Sequence, residues 1–150
     1  MKIIYLHHAE RDTQSGVNQE NDITENGIKE ANLLAEKAQK LNIKAIYTSP
    51  YLRCKHTAEI INKYINVPII EDSRFNECDI EWDNFLKRNI EALDDIVKKS
   101  NDEDTIVCVT SGVNLSAFIC YFYGLQPKND IPYTQAIACS PICFQVGDNW

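Results

Sequence analysis

Lys2-Ile3-Ile4-Tyr5-Leu6-His7-His8-Ala9-Glu10 opens the chain with an apolar run that ends abruptly on two imidazoles and a carboxylate. A nearly continuous, β-branched apolar run suits a strand covered on both faces, as in a parallel sheet layered between helices. Ligands of such sheets bind beyond the carboxyl ends of the strands, where helix N-termini turn amide donors outward. The residues that follow Leu6 are therefore the first candidates for chemistry.

Downstream, the pattern alternates. Thr24 is an N-cap candidate, and Ile28, Ala31, Leu34, Ala35, Ala38 and Leu41 recur at helical steps of three and four. A second strand is expected over 44–47, followed by a helix capped at Ser49 with Pro50 at its first position and with Leu52, Ile60, Ile61 and Tyr64 inward. Residues 67–70 read as a third strand. Trp82, Phe85, Leu86, Ile90, Leu93, Ile96 and Val97 trace the stripe of another helix. Thr105 to Val109 is the strongest buried strand, Ser111-Gly112 leads into an apolar helix ending near Gly124, and 132–138 and 142–146 read as two short strands. The expected fold is α/β, a three-layer sandwich of one mostly parallel sheet with helices on both faces and an antiparallel strand near one edge.

At 150 residues the chain is expected to form a single domain over 1–150, burying about two-thirds of its unfolded surface. Its formal charge of −7 disfavours nucleic acid and anionic membrane as partners, since both attract basic surfaces. That excess lies within 71–104, where twelve acids meet five bases; elsewhere there are ten of each. The run reads chiefly as a solvated helix face, leaving the rest of the chain free to bind an anion. Six cysteines without a C-x-x-C pair, no apolar leader and no long uncharged apolar run point to a cytoplasmic protein with reduced thiols. No metal or other cofactor is expected, because the three histidines and the cysteines match no zinc spacing.

The expected strand ends carry His7 and His8, then Arg53 in the first turn after the second strand, then Ser111 and Gly112 after the fourth. Imidazole, guanidinium and hydroxyl beside helix N-termini suit phosphate. Phosphate-loop, dinucleotide, nucleophile-elbow and Cys-x5-Arg motifs are absent from the sequence. His56 reads as a surface residue and Cys54 as packing.

These residues resemble the histidine phosphatase superfamily, also called phosphoglycerate mutase-like. Residues 3–10 resemble its apolar strand running into Arg-His-Gly-Glu, and Ile23-Thr24-Glu25-Asn26-Gly27 is similar to its Leu-Thr-Glu-x-Gly. Ser49 to Arg53 with Thr57-Ala58 resembles its Ser-x-Leu-x-Arg and Thr-Ala run, and Phe75-Asn76-Glu77 with Trp82 resembles its Leu-x-Glu and following Trp. The resemblance implies His8 as a nucleophile attacking phosphorus, Arg53 as a phosphate clamp, and Glu77 as the proton donor to the leaving oxygen. It also places His7, Ser111 and Gly112 at the phosphate and implies a phosphorylated small molecule or a phosphoprotein as partner. Oligomeric state is left open.

Departures from the family pattern fall in the site: His7 stands for its first arginine, Ala9 for the glycine, and Ser111 for its second histidine. An imidazole with an ordinary pKa of about 6.5 is only partly charged at neutral pH and lacks a guanidinium's fork. A serine hydroxyl carries no charge. Losing one preorganised donor costs on the order of 10²–10³ in rate, so the expectation is weakened or altered phosphatase activity, with a catalytically inactive phosphate-binding module as the alternative.

Overall fold

The computed structural model describes residues 1–14, 16, 18–77, 81–124 and 141–147. Its elements are β1 (Lys2–His7), α1 (Glu25–Ala38), β2 (Ile43–Thr48), α2 (Leu52–Asn62), β3 (Ile69–Glu71), a 3₁₀ turn (Ser73–Phe75), α3 (Trp82–Lys99), β4 (Thr105–Thr110), α4 (Gly112–Tyr123) and β5 (Pro141–Gln145). The sheet runs β3-β2-β4-β1-β5, with β1 to β4 mutually parallel and β5 antiparallel to β1. This is the expected mostly parallel α/β architecture. The strand expected over 132–138 lies outside the described residues.

Alternation along the two central strands builds two cores. Ile3 and Tyr5 of β1 join Ile106 and Cys108 of β4 on the side covered by α3 and α4, where Leu93, Ile96, Leu115 and Phe118 pack. Leu6, Val107 and Val109 face α1 and α2 with Ala38, Ala58 and Ile61. All six residues of β4 are buried, which is why its sequence reads as unbroken apolar content rather than as alternation.

Several boundaries differ from expectation. α2 begins at Leu52 with Tyr51 as its cap, not at Ser49-Pro50. The Ser49 hydroxyl donates to Asn76 Oδ1 (2.7 Å), while the Tyr51 carbonyl accepts the first helical amides, from Cys54 and Lys55. β3 starts at Ile69 because the Asn62 side chain holds both the amide and the carbonyl of Val67. Tyr64, Ile28 and Leu41 are exposed, not inward: Tyr64 and Leu41 fall beyond the ends of α2 and α1. The acidic stretch is also partly paired. Arg74 binds both Asp72 and Asp95, holding both carboxyls below the usual range although burial opposes it at Asp72, and Lys55 binds Glu71.

Gly27 has a steric role. A Cβ there would lie 2.3 Å from the Glu10 carbonyl oxygen, so only glycine lets the first turn of α1 press against the segment leaving β1. Thr24 caps α1 through the Gly27 amide (3.0 Å) and donates to Glu10 Oε1 (2.6 Å), fastening that contact. Among the described residues, no helix is long and apolar enough to cross a membrane, and Cys54, Cys108 and Cys143 are free thiols.

Candidate active site

Parallel pairing brings the carboxyl ends of β1, β2 and β4 to one edge. His7 pairs with Thr110, and the His8 amide continues the ladder onto the Thr110 carbonyl at 2.8 Å. His8 is 4% exposed. Its Nδ1 lies 2.7 Å from the Ala9 carbonyl oxygen, which can only accept, so Nδ1 holds the proton and Nε2 the lone pair. The opposite nitrogen agrees: Arg53 Nε–H donates to His8 Nε2 at 3.1 Å. Burial, with the positive charges of His7, Arg53 and Arg11 adding to it, pushes the His8 pKa down to about 2. The imidazole is therefore neutral throughout the physiological range, as a nucleophile requires.

Arg53 is the centre of the cluster and is fully buried. Besides His8, its guanidinium donates to the Asn18 carbonyl (2.9 Å) and forms an ion pair with Glu77 Oε2 (2.9 Å), and it lies over the Tyr51 ring. Thr57, one turn along α2, donates to the Arg53 carbonyl (2.7 Å) and accepts the Ala9 amide (3.0 Å), tying the turn after β1 to the helix that carries the arginine. Glu77 is about one-third exposed. Its backbone carbonyl and that of Asn76 accept from Arg88 on α3. His8, Arg53 and Glu77, separated by up to 69 positions, thus form one continuous polar contact.

The His7 ring lies 4.3 Å from that of His8, centroid to centroid, which places it beside the cluster. Ser111 occupies the N-cap position of α4, but its hydroxyl donates to Asn114 Oδ1 rather than capping the helix. Asn114 passes its own donors to Asn89 Oδ1 and to the carbonyls of Phe75 and Asn76, and Tyr5 donates to Asn89 as well. Ser111 and buried Gly112 therefore stand at the same sheet edge, joined to Glu77 through Asn114 and Asn76. Cys54, next to Arg53, is buried, and burial pushes its thiol up to about 12, consistent with packing and not with a nucleophile. His56 pairs with Asp22 at 2.6 Å, both side chains partly exposed.

Sequence reasoning had no role for Asn18, Thr57 or Asn114. Thr57 carries a signal, since its spacing of four from Arg53 puts both on one face of α2. Asn18 carries none, because its contribution is a backbone carbonyl. A cleft of about 520 Å³ lined by Asp12, Asn18, Glu20, Asp22 and neighbours opens on this same segment. Among the described residues no group of three His, Cys, Asp or Glu side chains gathers as a metal site.

Comparisons with known proteins bear on the fold and the family. Residues 6–84 match the model of the histidine phosphatase superfamily (branch 1). The chain is 28% identical over 174 aligned positions to the 2,3-bisphosphoglycerate-dependent phosphoglycerate mutase of Thermoplasma acidophilum, covering 86% of this chain and 84% of that one. Among solved structures, Bacillus stearothermophilus YhfR superposes with a TM-score of 0.84 at 21% identity, covering 98% and 92% of the two chains. The Entamoeba histolytica phosphoserine phosphatase in complex with 3-phosphoglyceric acid gives 0.78 at 21% identity, covering 95% and 89%. Fold, block order and family match converge, and the chain belongs to branch 1 of the histidine phosphatase superfamily.

Proposed function

We propose that this protein is a phosphomonoester phosphatase or phosphomutase-like enzyme working through a phosphohistidine at His8. The observation that carries the reading is the buried contact chain from His8 Nε2 through Arg53 to Glu77, with His8 held neutral and its lone pair on Nε2. The three partners of the Arg53 guanidinium mark positions that phosphoryl oxygens can take over. As the substrate enters, the Arg53 Nε–H leaves His8 Nε2, freeing its lone pair, and the guanidinium exchanges its acceptors for phosphoryl oxygens as a bidentate clamp. Nε2 attacks phosphorus in line, and the bond from phosphorus to the leaving oxygen breaks. Glu77, released from the guanidinium, takes up a proton from solvent and delivers it to that oxygen. Water then attacks the phosphohistidine, its proton returns to Glu77, and orthophosphate leaves with His8 restored. His7, Ser111 and Gly112 line the phosphate.

The substrate class is a phosphorylated small molecule or phosphoprotein; the Entamoeba histolytica neighbour, which holds 3-phosphoglyceric acid, supports the former. We infer weakened turnover relative to the family pattern, because His7 replaces a guanidinium and the Ser111 proton is engaged by Asn114. That second observation also supports the alternative, a phosphate-binding module without turnover. Phosphate release from a chromogenic phosphomonoester decides between them: activity is expected in the unsubstituted chain and lost in His8→Ala. Turnover no greater than that of His8→Ala across sugar phosphates, nucleotides and phosphopeptides, with orthovanadate still bound, would establish the binding module.

A further inference from the structure

Arg11, three residues beyond His8, belongs to none of the family blocks read from the sequence. Its backbone is held in place: Arg11 bridges Ile23 in antiparallel fashion, and the Asp12 amide donates to the Asp22 carbonyl at 2.9 Å. Immediately before it, Glu10 is tied to Thr24 at the start of α1 and its amide to Glu30. The guanidinium is therefore carried by a fixed stretch of chain, not by a free loop tip. Its Nη1 is buried and finds no hydrogen-bond partner among the described residues. A buried guanidinium N–H without an acceptor is costly, and such groups in native proteins call for an explanation, an absent ligand among them.

Two further observations locate that ligand. Arg11 stands two residues after Ala9, whose amide Thr57 Oγ1 holds at 3.0 Å while donating to the Arg53 carbonyl, so its stretch of chain is fastened to the helix turn that bears Arg53, and its charge acts on His8 as a nearby cation does. Meanwhile every nitrogen of Arg53 already has an acceptor in His8, Asn18 or Glu77, and position 7 offers an imidazole where the family pattern has a guanidinium. A phosphoryl dianion at His8 Nε2 would meet one guanidinium from α2 and needs a second cationic donor to balance it.

We propose that Arg11 is a phosphoryl-binding residue, its buried Nη1 donating to an oxygen of the group held at His8, so that the guanidinium missing at position 7 is supplied from four residues downstream. This inference rests on the phosphate-binding reading of the site. The test uses orthovanadate affinity by calorimetry together with phosphomonoester turnover. Arg11→Ala is expected to weaken vanadate binding and kcat/KM by on the order of 10²-fold, with its thermal midpoint unchanged or raised. Arg11→Lys should recover part of the affinity, and His7→Arg introduced into Arg11→Ala should restore both measurements at least tenfold. A merely structural arginine would instead lower the midpoint and show no rescue by His7→Arg. Arg11→Ala within threefold of the unsubstituted chain, or loss without rescue, overturns the proposal. Absence of both vanadate binding and turnover in the unsubstituted chain overturns the proposed function, and this inference with it.

Discussion

Two polar networks meet at Asn76 and Glu77, and they are built from opposite materials. On the side of α1 and α2, Arg53 joins His8, Glu77 and the Asn18 carbonyl, so the network gathers an imidazole, a carboxylate and a backbone carbonyl around one buried cation. On the side of α3 and α4, Asn114 joins Ser111, Asn89, Tyr5 and two backbone carbonyls, all neutral. In the second network the donors are committed to internal acceptors, which suits a rigid support. In the first, the arginine's partners are a histidine, a carboxylate and a carbonyl, each of which a phosphoryl oxygen can replace. Ser111, which stands where the family pattern has a second histidine, gives its hydroxyl proton to Asn114 within the neutral network.

That division can be broken most forcefully at Arg53. Arg53→Met is expected to abolish phosphate release and to cost about 3 kcal/mol in urea unfolding, since it removes a fully buried guanidinium and leaves buried His8 Nε2, the partly exposed Glu77 carboxylate and the Asn18 carbonyl without their donor. Unchanged stability would mean that the guanidinium is not the centre of the network.

Asn114→Ala probes the neutral side. Stability should fall by about 2 kcal/mol, because the buried Ser111 hydroxyl loses its acceptor and Asn89 Oδ1 and the Phe75 and Asn76 carbonyls each lose one of two donors, while orthovanadate affinity stays within a few-fold. If affinity collapses as far as in Arg53→Met, the two networks are one.

The smallest effect separates them by pH. His8 is held at a pKa near 2 in the folded chain against about 6.5 unfolded, so below pH 6.5 the unfolded state binds the extra proton and stability falls as pH falls. From pH 7 to pH 5 this contributes a loss of about 2 kcal/mol. His8→Gln should flatten the stability profile over that window, because the amides and hydroxyls around Asn114 do not titrate there. A slope that persists in His8→Gln would assign it to other groups.

How far these networks can be read without coordinates differs by residue. β1 and β4 declare themselves by apolar runs, and His8, Arg53 and Glu77 by block order, because each block pairs a local backbone signal with a chemical group. Gly27 was readable as part of a block but not as to purpose; its reason is the Glu10 backbone lying against α1. The start of α2 was misplaced because Ser49, a good cap by type, finds a stronger use on Asn76, 27 residues away. Asn89 interrupts the apolar stripe of α3 and would pass for a surface residue, yet it is fully buried beneath Tyr5 and Asn114. Arg11 carries no local signal for a similar reason: nothing in the neighbouring residue types marks an arginine whose Nη1 is buried.

By itself the amino-acid order determines which segments are buried on both faces, where each helix and strand stands in sequence, and which strand ends carry imidazole and guanidinium. Those properties follow from spacing and composition, which act over a few residues at a time. Only the tertiary structure decides the partner of each polar group: that Arg53 holds His8 and Glu77, that Ser111 gives its proton to Asn114, and that Arg11 Nη1 is buried without an acceptor among the described residues. Burial makes hydrogen bonding obligatory, but the acceptor that satisfies each donor is selected by geometry between segments far apart in the chain.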